Sequence, residues 1–249
     1  MANFVPLKRY MLRCLDRMIE RYAIAGPFLD VGCGRGDVSA HLAAKGWSGT
    51  AIDFSAAAIA QAKDTLAKHP GVDVRLQALA DTTGAFGCVV AFDVLEHIED
   101  DDAALADIAA RLRPGGHLIL AVPSNPREWR WDDDFYGHFR RYTTTDLDRR
   151  LVRAKLRPVT YWDFTYPFFW AMRRAYTRIK RPVSAAASKV AATQASATVN
   201  AWDVPVLSKV LDASALAWAP VYAMQFGLFR NATHRGHEMF ALAQKPSSP

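Results

Sequence analysis

The sequence predicts an α/β protein in which a mostly parallel β-sheet is covered by helices on both faces. Short apolar runs of strand length alternate with stretches of helical period between residues 28 and 122. A turn rich in glycine joins the first such strand to the first such helix. Of the 249 residues, 51% are hydrophobic and 22% are charged, so the chain has the composition of a globular protein that can bury a full core.

The elements can be placed along the chain from their periods and their boundary residues. Ser55 is expected to cap a helix that Pro70-Gly71 ends, and Thr144 is expected to cap a later one. The predicted strands are 28–31, 50–52, 72–76, 88–92, 117–122, 159–162 and 237–245. The predicted helices are 4–22, 37–45, 56–69, 102–113 and 146–154, of which the first is amphipathic.

The glycine-rich turn spans residues 30–36 and points to a ligand. Its three alternate glycines, Gly32, Gly34 and Gly36, bring bare backbone N–H groups and a helix N-terminus close to whatever binds there. Asp53 closes the next strand, where a carboxylate can accept both hydroxyls of a ribose. Together these residues predict a pocket for a nucleoside cofactor.

The glycine spacing indicates which nucleoside it is. Asp37 stands where the dinucleotide-binding pattern has its third glycine. Asp30, which precedes the turn, would repel a pyrophosphate but suits a cofactor that carries an ammonium or sulfonium group. The pattern resembles the Asp-x-Gly-x-Gly-x-Gly motif of the class I S-adenosylmethionine-dependent methyltransferases.

The resemblance extends over roughly residues 28–125. Residues 89–98 resemble the fourth strand of this family and the start of its next helix, and residues 111–123 are similar to its Pro-Gly-Gly turn and fifth strand. A weaker likeness covers the C-terminal strand. The resemblance implies a Rossmann-like sheet of seven strands with an antiparallel last strand, and S-adenosylmethionine as the cofactor.

The resemblance also implies which residues contact the cofactor. Asp93 follows the fourth strand, where it could line the pocket or cap the next helix. The acidic residue that the family places just after its third strand is displaced, so either Asp81 reaches back or backbone groups hold the adenine. The expected cofactor-binding residues are Asp30, Gly32, Cys33, Gly34, Gly36, Asp53, Phe54, Asp81 and Asp93.

We expect one methyltransferase domain with an insertion. The domain would comprise residues 1–162 and 233–249, with a cap helix in 1–26 and a substrate lid at 124–145. Residues 163–232 would form a helical insertion that is rich in aromatic and basic residues. The insertion contains a run of 17 uncharged residues, 213–229. It could be a flap packed on the sheet, a patch that contacts a membrane surface, or a spanning helix.

Charge and cysteine content indicate the compartment and the partners. Residues 1–150 carry 18 basic and 21 acidic residues, a net −3, whereas residues 151–249 carry 13 and 4, a net +9. The second part therefore suits an anionic partner, and an anionic membrane could be contacted through 164–230. Three scattered cysteines favour a reducing compartment and give no metal-binding spacing. We therefore predict a cytoplasmic protein able to associate with a membrane, and no metal.

The expected lid contains the candidate for catalysis. Methyl transfer to a hydroxyl or an ammonium group requires a base, and His138 is our candidate, although it could instead be a structural histidine bonded to the backbone. His97 is expected to be structural or close to the cofactor. Arg140 and Arg141 could clamp an anion or lie as a solvated pair, and the acidic run 132–134 is expected to be a solvated turn. The expected substrate-binding residues are Trp129, Tyr136, Arg140, Arg141 and Tyr142.

These observations predict a methyltransferase that acts on oxygen or nitrogen of a small or lipid-linked acceptor. Two other functions stay open. A non-catalytic binding or scaffold protein would agree with the displaced adenine acid. A nucleic-acid methyltransferase would agree with the basic second part, but residues 93–96, Asp-Val-Leu-Glu, lack the Asn/Asp-Pro-Pro-Tyr/Phe-type signature of such enzymes. The sequence does not indicate the acceptor or the oligomeric state.

Overall fold

The computed structural model describes residues 6–180 and 217–247. Seven strands form one sheet: β1 (Phe28–Val31), β2 (Gly49–Asp53), β3 (Val72–Leu76), β4 (Phe86–Phe92), β5 (Leu112–Pro123), β6 (Arg157–Asp163) and β7 (Glu238–Gln244). Their order across the sheet is β3-β2-β1-β4-β5-β7-β6. Neighbours from β3 to β5 are parallel, and β7 is antiparallel to both β5 and β6. The predicted Rossmann-like sheet with an antiparallel last strand is confirmed.

Helices cover both faces of the sheet because successive strand residues point to opposite sides. In β4, Cys88 and Val90 pack on one face, whereas Val89 and Ala91 pack on the other. The helices are α1 (Pro6–Arg21), α2 (Asp37–Ala44), α3 (Ala56–Leu66), α4 (Asp101–Arg111), α5 (Trp131–Tyr136), α6 (Thr144–Arg153), α7 (Phe168–Ile179) and α8 (Trp218–Phe229). The first core contains side chains of α1, α2, α3, α7 and α8, and the second contains side chains of α4 and α6.

Several boundaries differ from those that the sequence predicted. Ser55 caps α3 as expected, since its hydroxyl accepts a hydrogen bond from the Ala58 N–H. The cap of α6 is Thr143 rather than Thr144, because the Thr143 hydroxyl accepts from the Asp146 N–H. Strand β5 begins at Leu112, which pairs with β4 before a shift of register, so the Pro-Gly-Gly segment lies within the strand.

The segment expected to be an irregular lid contains regular structure. It holds a 3₁₀ turn at Pro126–Glu128 and the short helix α5. The backbone N–H of Arg130 donates to the Asp133 carboxylate, which holds the first turn of α5. The sequence showed no periodicity here because α5 is only 6 residues long.

Helices α7 and α8 lie within the expected insertion and pack on the face that also carries α1. The Tyr222 hydroxyl of α8 donates to the Pro6 carbonyl at 2.9 Å, and the Gln225 amide donates to the Phe164 carbonyl at 2.7 Å. Within residues 6–180 and 217–247, the helices are too short or too polar to cross a bilayer. The alanine- and serine-rich stretch 184–198 and residues 213–216 of the uncharged run lie outside the described residues.

Candidate active site

A cavity of about 750 Å³ opens at the carboxyl ends of the parallel strands. It lies beside β1 and β4. From β1 the chain adds β2 and β3 on one side of the sheet, and then returns to add β4 and β5 on the other side. Open α/β sheets bind their ligands at such switch points. Helix α1 contributes Leu7, Lys8 and Met11 to its wall, and Lys8 pairs with Asp37 at the start of α2.

The glycine-rich turn forms the floor of the cavity beside β1. Gly32 has φ +66°, and a Cβ built on it would lie 2.5 Å from a methyl group of Val94, so no larger residue fits. Gly34 has φ +52°, and no protein atom lies within 4 Å of its Cβ position. The turn therefore leaves open space above Gly34, and Cys33 lines the same wall. Gly36 is outside the lining and instead allows α2 to approach Leu66 of α3.

Asp53 lies at the end of β2 and faces the cavity. Its two oxygens accept the backbone N–H groups of Gly34 at 3.0 Å and Ser55 at 2.8 Å. A carboxylate offers about four acceptor positions, so the group can accept further hydrogen bonds from a ligand. Phe54, which is 54% exposed, extends the same wall.

Two further carboxyl groups lie at or just after strand ends in the cavity wall. Asp30, the third residue of β1, accepts a hydrogen bond from the Ser39 hydroxyl at 2.6 Å, and burial raises its pKa to about 7. Asp93 follows β4 with φ +54°, and burial raises its pKa to about 6. The alternative that Asp93 caps a helix is wrong, because Val94 holds the position before the 3₁₀ turn Leu95–His97.

The structure does not bring Asp81 into the cavity. The Asp81 N–H donates to the Ala78 carbonyl, and the resulting turn leaves Asp81 exposed to solvent. Gln77, Ala78 and Leu79 line the wall where the adenine acid was expected. The alternative in which Asp81 reaches back is therefore wrong, and the alternative in which backbone groups hold the adenine stays a prediction.

His138 lies in the cavity wall and is held by Asp133. Its Nδ1 lies 2.9 Å from the Asp133 carboxylate, which is fully buried. Burial opposes ionisation of Asp133, but the hydrogen bond with His138 and the charges of Arg141 and Arg173 outweigh it and lower the pKa of Asp133. Because an ionised carboxylate only accepts hydrogen bonds, Nδ1 of His138 carries the hydrogen. A neutral His138 ring therefore has its lone pair on Nε2.

Glu96 lies beside His138 and is not among the site residues that the sequence predicted. It is fully buried, and burial, together with the charge of Asp93, raises its pKa. Nε2 of His138 and Nε2 of His97 each lie 4.0 Å from the same Glu96 oxygen. Burial lowers the pKa of His97 to about 3, which leaves this ring neutral. Ligand atoms of these three side chains lie within 4.8 Å of one another, close enough to share a ligand. The absence of a metal stays a prediction.

The other residues expected to bind substrate separate into two groups. Tyr136 and Arg141 line the cavity, whereas Trp129, Arg140 and Tyr142 lie outside its lining. Tyr142 is buried, and its hydroxyl donates to Asp101 at 2.8 Å. Arg140 donates to the Glu99 carbonyl and pairs with Asp101 as well.

Trp129 and Arg141 are likewise engaged by the protein. The Trp129 indole donates to Asp134. Arg141 donates to the carbonyls of Ser124 and His237, both at 2.9 Å, so it is neither a solvated residue nor an open anion clamp. These internal bonds leave little of either arginine for a substrate.

The acidic run is not a solvated turn, because Asp132 and Asp133 are buried against Arg173 of α7. The Arg173 guanidinium donates to both oxygens of Asp132, at 2.8 and 2.6 Å, and to Asp133 at 2.9 Å. Arg174 donates to Glu128. The sequence shows an excess of acid in 132–134 and of base in 173–181, but these charges alone do not indicate that the two segments meet.

Comparison with known proteins identifies the family. Residues 5–161 match the family model of a methyltransferase domain. The ubiquinone biosynthesis O-methyltransferase of Xanthomonas oryzae pv. oryzae is 37% identical over 114 residues, which cover 43% of this chain and 48% of that protein. The chain thus matches about half the length of this curated relative.

Solved structures share the fold. The 1,6-didemethyltoxoflavin-N1-methyltransferase of Burkholderia thailandensis, crystallised with S-adenosylhomocysteine, superposes with a TM-score of 0.56 at 15% identity, covering 95% of this chain and 78% of that one. The geranyl diphosphate C-methyltransferase of Streptomyces coelicolor gives 0.59 at 16%, covering 94% and 77%. The family match, the strand order and the glycine-rich turn together show that the chain belongs to the class I S-adenosylmethionine-dependent methyltransferases.

Proposed function

We propose that the protein transfers the methyl group of S-adenosylmethionine to a hydroxyl oxygen of a small or lipid-linked acceptor, with His138 as the general base. The observation that carries this proposal is the His138 ring, which Asp133 holds at the cavity wall with Nε2 on the side of Glu96. A hydroxyl and an ammonium group both lose a proton on methylation, so a base suits either acceptor. The O-methyltransferase name of the curated relative favours oxygen.

The residues of the turn and of the strand ends fit the cofactor of this family. Asp53 keeps acceptor positions for the ribose hydroxyls, and the space above Gly34 lets the ligand approach the backbone. Asp30 and Asp93 place carboxyl groups where an ammonium or sulfonium group is favoured. When bound, S-adenosylmethionine supplies an electrophilic methyl group.

His138 would remove the proton as the new bond forms. The acceptor oxygen would form its new bond to the methyl group that the cofactor supplies, and the sulfur would keep the electron pair of the bond that breaks. The hydroxyl proton passes to Nε2 of His138. The Asp133 carboxylate then stabilises the imidazolium, and Arg141 and Arg173 keep that carboxylate ionised and in place.

A lipid-linked acceptor is supported by the outer surface of the two insertion helices. Ile179, Met224 and Leu228 are apolar and 84%, 40% and 72% exposed. Arg178 and Lys180 are exposed beside Ile179, and such a combination suits the interface of an anionic membrane.

The test is transfer of isotopically labelled methyl from the cofactor to cell extracts, followed by separation into aqueous and lipid phases. We expect label in a hydroxyl-bearing product, and label in the lipid phase if the acceptor is lipid-linked. His138→Gln should lower turnover at least 100-fold and leave the affinity for S-adenosylhomocysteine within twofold of wild type. Trp129→Phe, outside the cavity, is the matched control and should keep full turnover. Normal turnover in His138→Gln would exclude His138 as the base.

A further inference from the structure

Among the described residues that line the cavity, Glu96 stands out because its buried carboxyl oxygens have no hydrogen-bond partner. It is fully buried, yet neither of its carboxyl oxygens has a hydrogen-bond partner within residues 6–180 and 217–247. A buried polar group without a partner carries a free-energy cost. Since Glu96 lines the cavity, a bound molecule can supply the missing hydrogen bond.

The spacing around Glu96 fits a single oxygen atom. Its Oε1 is 4.0 Å from Nε2 of His138 and 4.0 Å from Nε2 of His97, which is too far for direct hydrogen bonds. An oxygen placed between two atoms at that separation can lie about 2.7–2.8 Å from both, a normal hydrogen-bond distance. A hydroxyl oxygen that lies to the side of this pair of atoms can therefore bridge the gap between Glu96 and His138.

The charges around the gap select against an anion. Asp93 and Glu238 line the same wall, while the nearby cations, Arg141 and Arg173, are already held by Asp133 and by other groups of the protein. A carboxylate or phosphate entering the gap would meet these carboxyl groups, and the two arginines described beside it are already paired with Asp133. A neutral hydroxyl meets no such repulsion, and a protonated Glu96 can both donate to it and accept from it.

We propose that Glu96 is a specificity-determining residue that holds the reacting hydroxyl of the acceptor against His138 and excludes acceptors that react through a carboxylate. This inference rests on the proposed function. The hydroxyl donates its proton to Nε2 of His138 and is oriented by Glu96, so the methyl group is transferred to the oxygen of alcohols or phenols and not to that of acids. Phe92 and Tyr136 in the same lining favour a ring next to that hydroxyl.

The experiment is an NMR titration of the protein, saturated with S-adenosylhomocysteine, with phenol and with benzoate as a matched pair of probes. We expect wild type to bind phenol at least tenfold more tightly than benzoate. Glu96→Leu, which keeps the volume but removes the polar group, should bring the two affinities within threefold of each other. Glu96→Gln, which keeps a donor and an acceptor, should retain the preference for phenol at fivefold or more.

Three results would overturn the inference. Benzoate could bind wild type as tightly as phenol, or Glu96→Leu could keep the full preference. Alternatively, phenol binding could be lost on dialysis against EDTA and restored by Mg²⁺, in which case the cluster of Glu96, His97 and His138 holds a cation. The proposed function fails separately, because it depends on the turnover of His138→Gln and not on the phenol preference.

Discussion

At the scale of single residues, the expected cofactor-binding part of the cavity depends on Gly34, which has no side chain. Gly34 leaves open space on the cavity side, and its backbone N–H fixes Asp53 at 3.0 Å. One residue thus provides both the room for the ligand and the orientation of the carboxylate that is expected to bind the ribose.

A comparison of Gly34→Ala with Gly46→Ala should distinguish the effect of backbone strain from the effect of blocking the cofactor. Both glycines have positive φ, +52° and +85°, and neither Cβ position has a protein atom within 4 Å. Each substitution should therefore cost about 1–2 kcal/mol of stability from backbone strain. Only Gly34→Ala places its methyl in the cavity, so only it should lower the affinity for S-adenosylhomocysteine, by tenfold or more. Equal affinities in a calorimetric titration of the two variants would contradict the placement of the cofactor.

Asp30 makes the stability of the protein depend on pH. Burial raises its folded-state pKa to about 7, above the value of about 3.9 for an exposed aspartate. The folded state then binds more protons than the unfolded state between these values, so this stabilising contribution is complete below about pH 4 and is lost as the pH rises through 7. The loss is at most about 1.4 kcal/mol per pH unit.

Asp30→Asn should remove this part of the pH dependence while keeping the bond from Ser39. Urea denaturation between pH 4 and pH 8 should give a flatter curve of unfolding free energy for the variant than for wild type. Asp64→Asn, at an exposed position on α3, is the control and should follow the wild-type curve. Parallel curves for Asp30→Asn and wild type would mean that Asp30 is ionised throughout this range.

At the scale of elements, the expected lid and the expected insertion are joined by buried ion pairs. Arg173 of α7 binds Asp132 through two hydrogen bonds and Asp133 through a third. The Trp131 indole adds a hydrogen bond to the Thr177 carbonyl at 2.8 Å. Because Asp133 also holds His138, α7 helps to position the proposed base although it contributes no reacting atom.

Arg173→Leu should therefore be strongly destabilising. It leaves the buried Asp132 without its arginine and Asp133 with Arg141 alone. Breaking a buried pair in this way costs about 3–5 kcal/mol. Arg178→Leu, one turn further along α7 and exposed, should change stability by no more than about 0.5 kcal/mol. Chemical denaturation of both variants measures the difference. A loss below about 1 kcal/mol for Arg173→Leu would show that α5 and α7 are not held together in this way.

At this scale, the sequence predicts those features that depend on residues close together in the chain. Alternating strands and helices, the glycine spacing and the serine cap of α3 each depend on neighbouring residues, and the sheet follows from them. The pairing of α5 with α7 could not be predicted, since Asp132 and Arg173 are 41 positions apart and such contacts leave no periodic signal. Arg140, Tyr142 and Trp129 were misplaced for the same reason, because their partners lie on distant segments or in the short helix α5.

At the scale of the whole molecule, the switch point of the sheet brings two kinds of chemistry to one cavity. The ends of β1, β2 and β4 supply Asp30, Asp53 and Asp93, which suit a cationic nucleoside cofactor. The segment after β5 adds His138 and Asp133 to the lining of the same cavity. Our central claim is that these two groups of residues hold the methyl donor and the proton acceptor on either side of one reacting hydroxyl.

A crystal structure of the protein with S-adenosylhomocysteine tests this claim most directly. We predict that the ribose hydroxyls contact the Asp53 carboxylate and that the sulfur atom faces the gap between Glu96 and His138. Binding outside the cavity, or within it but with the sulfur directed away from His138, would contradict the account.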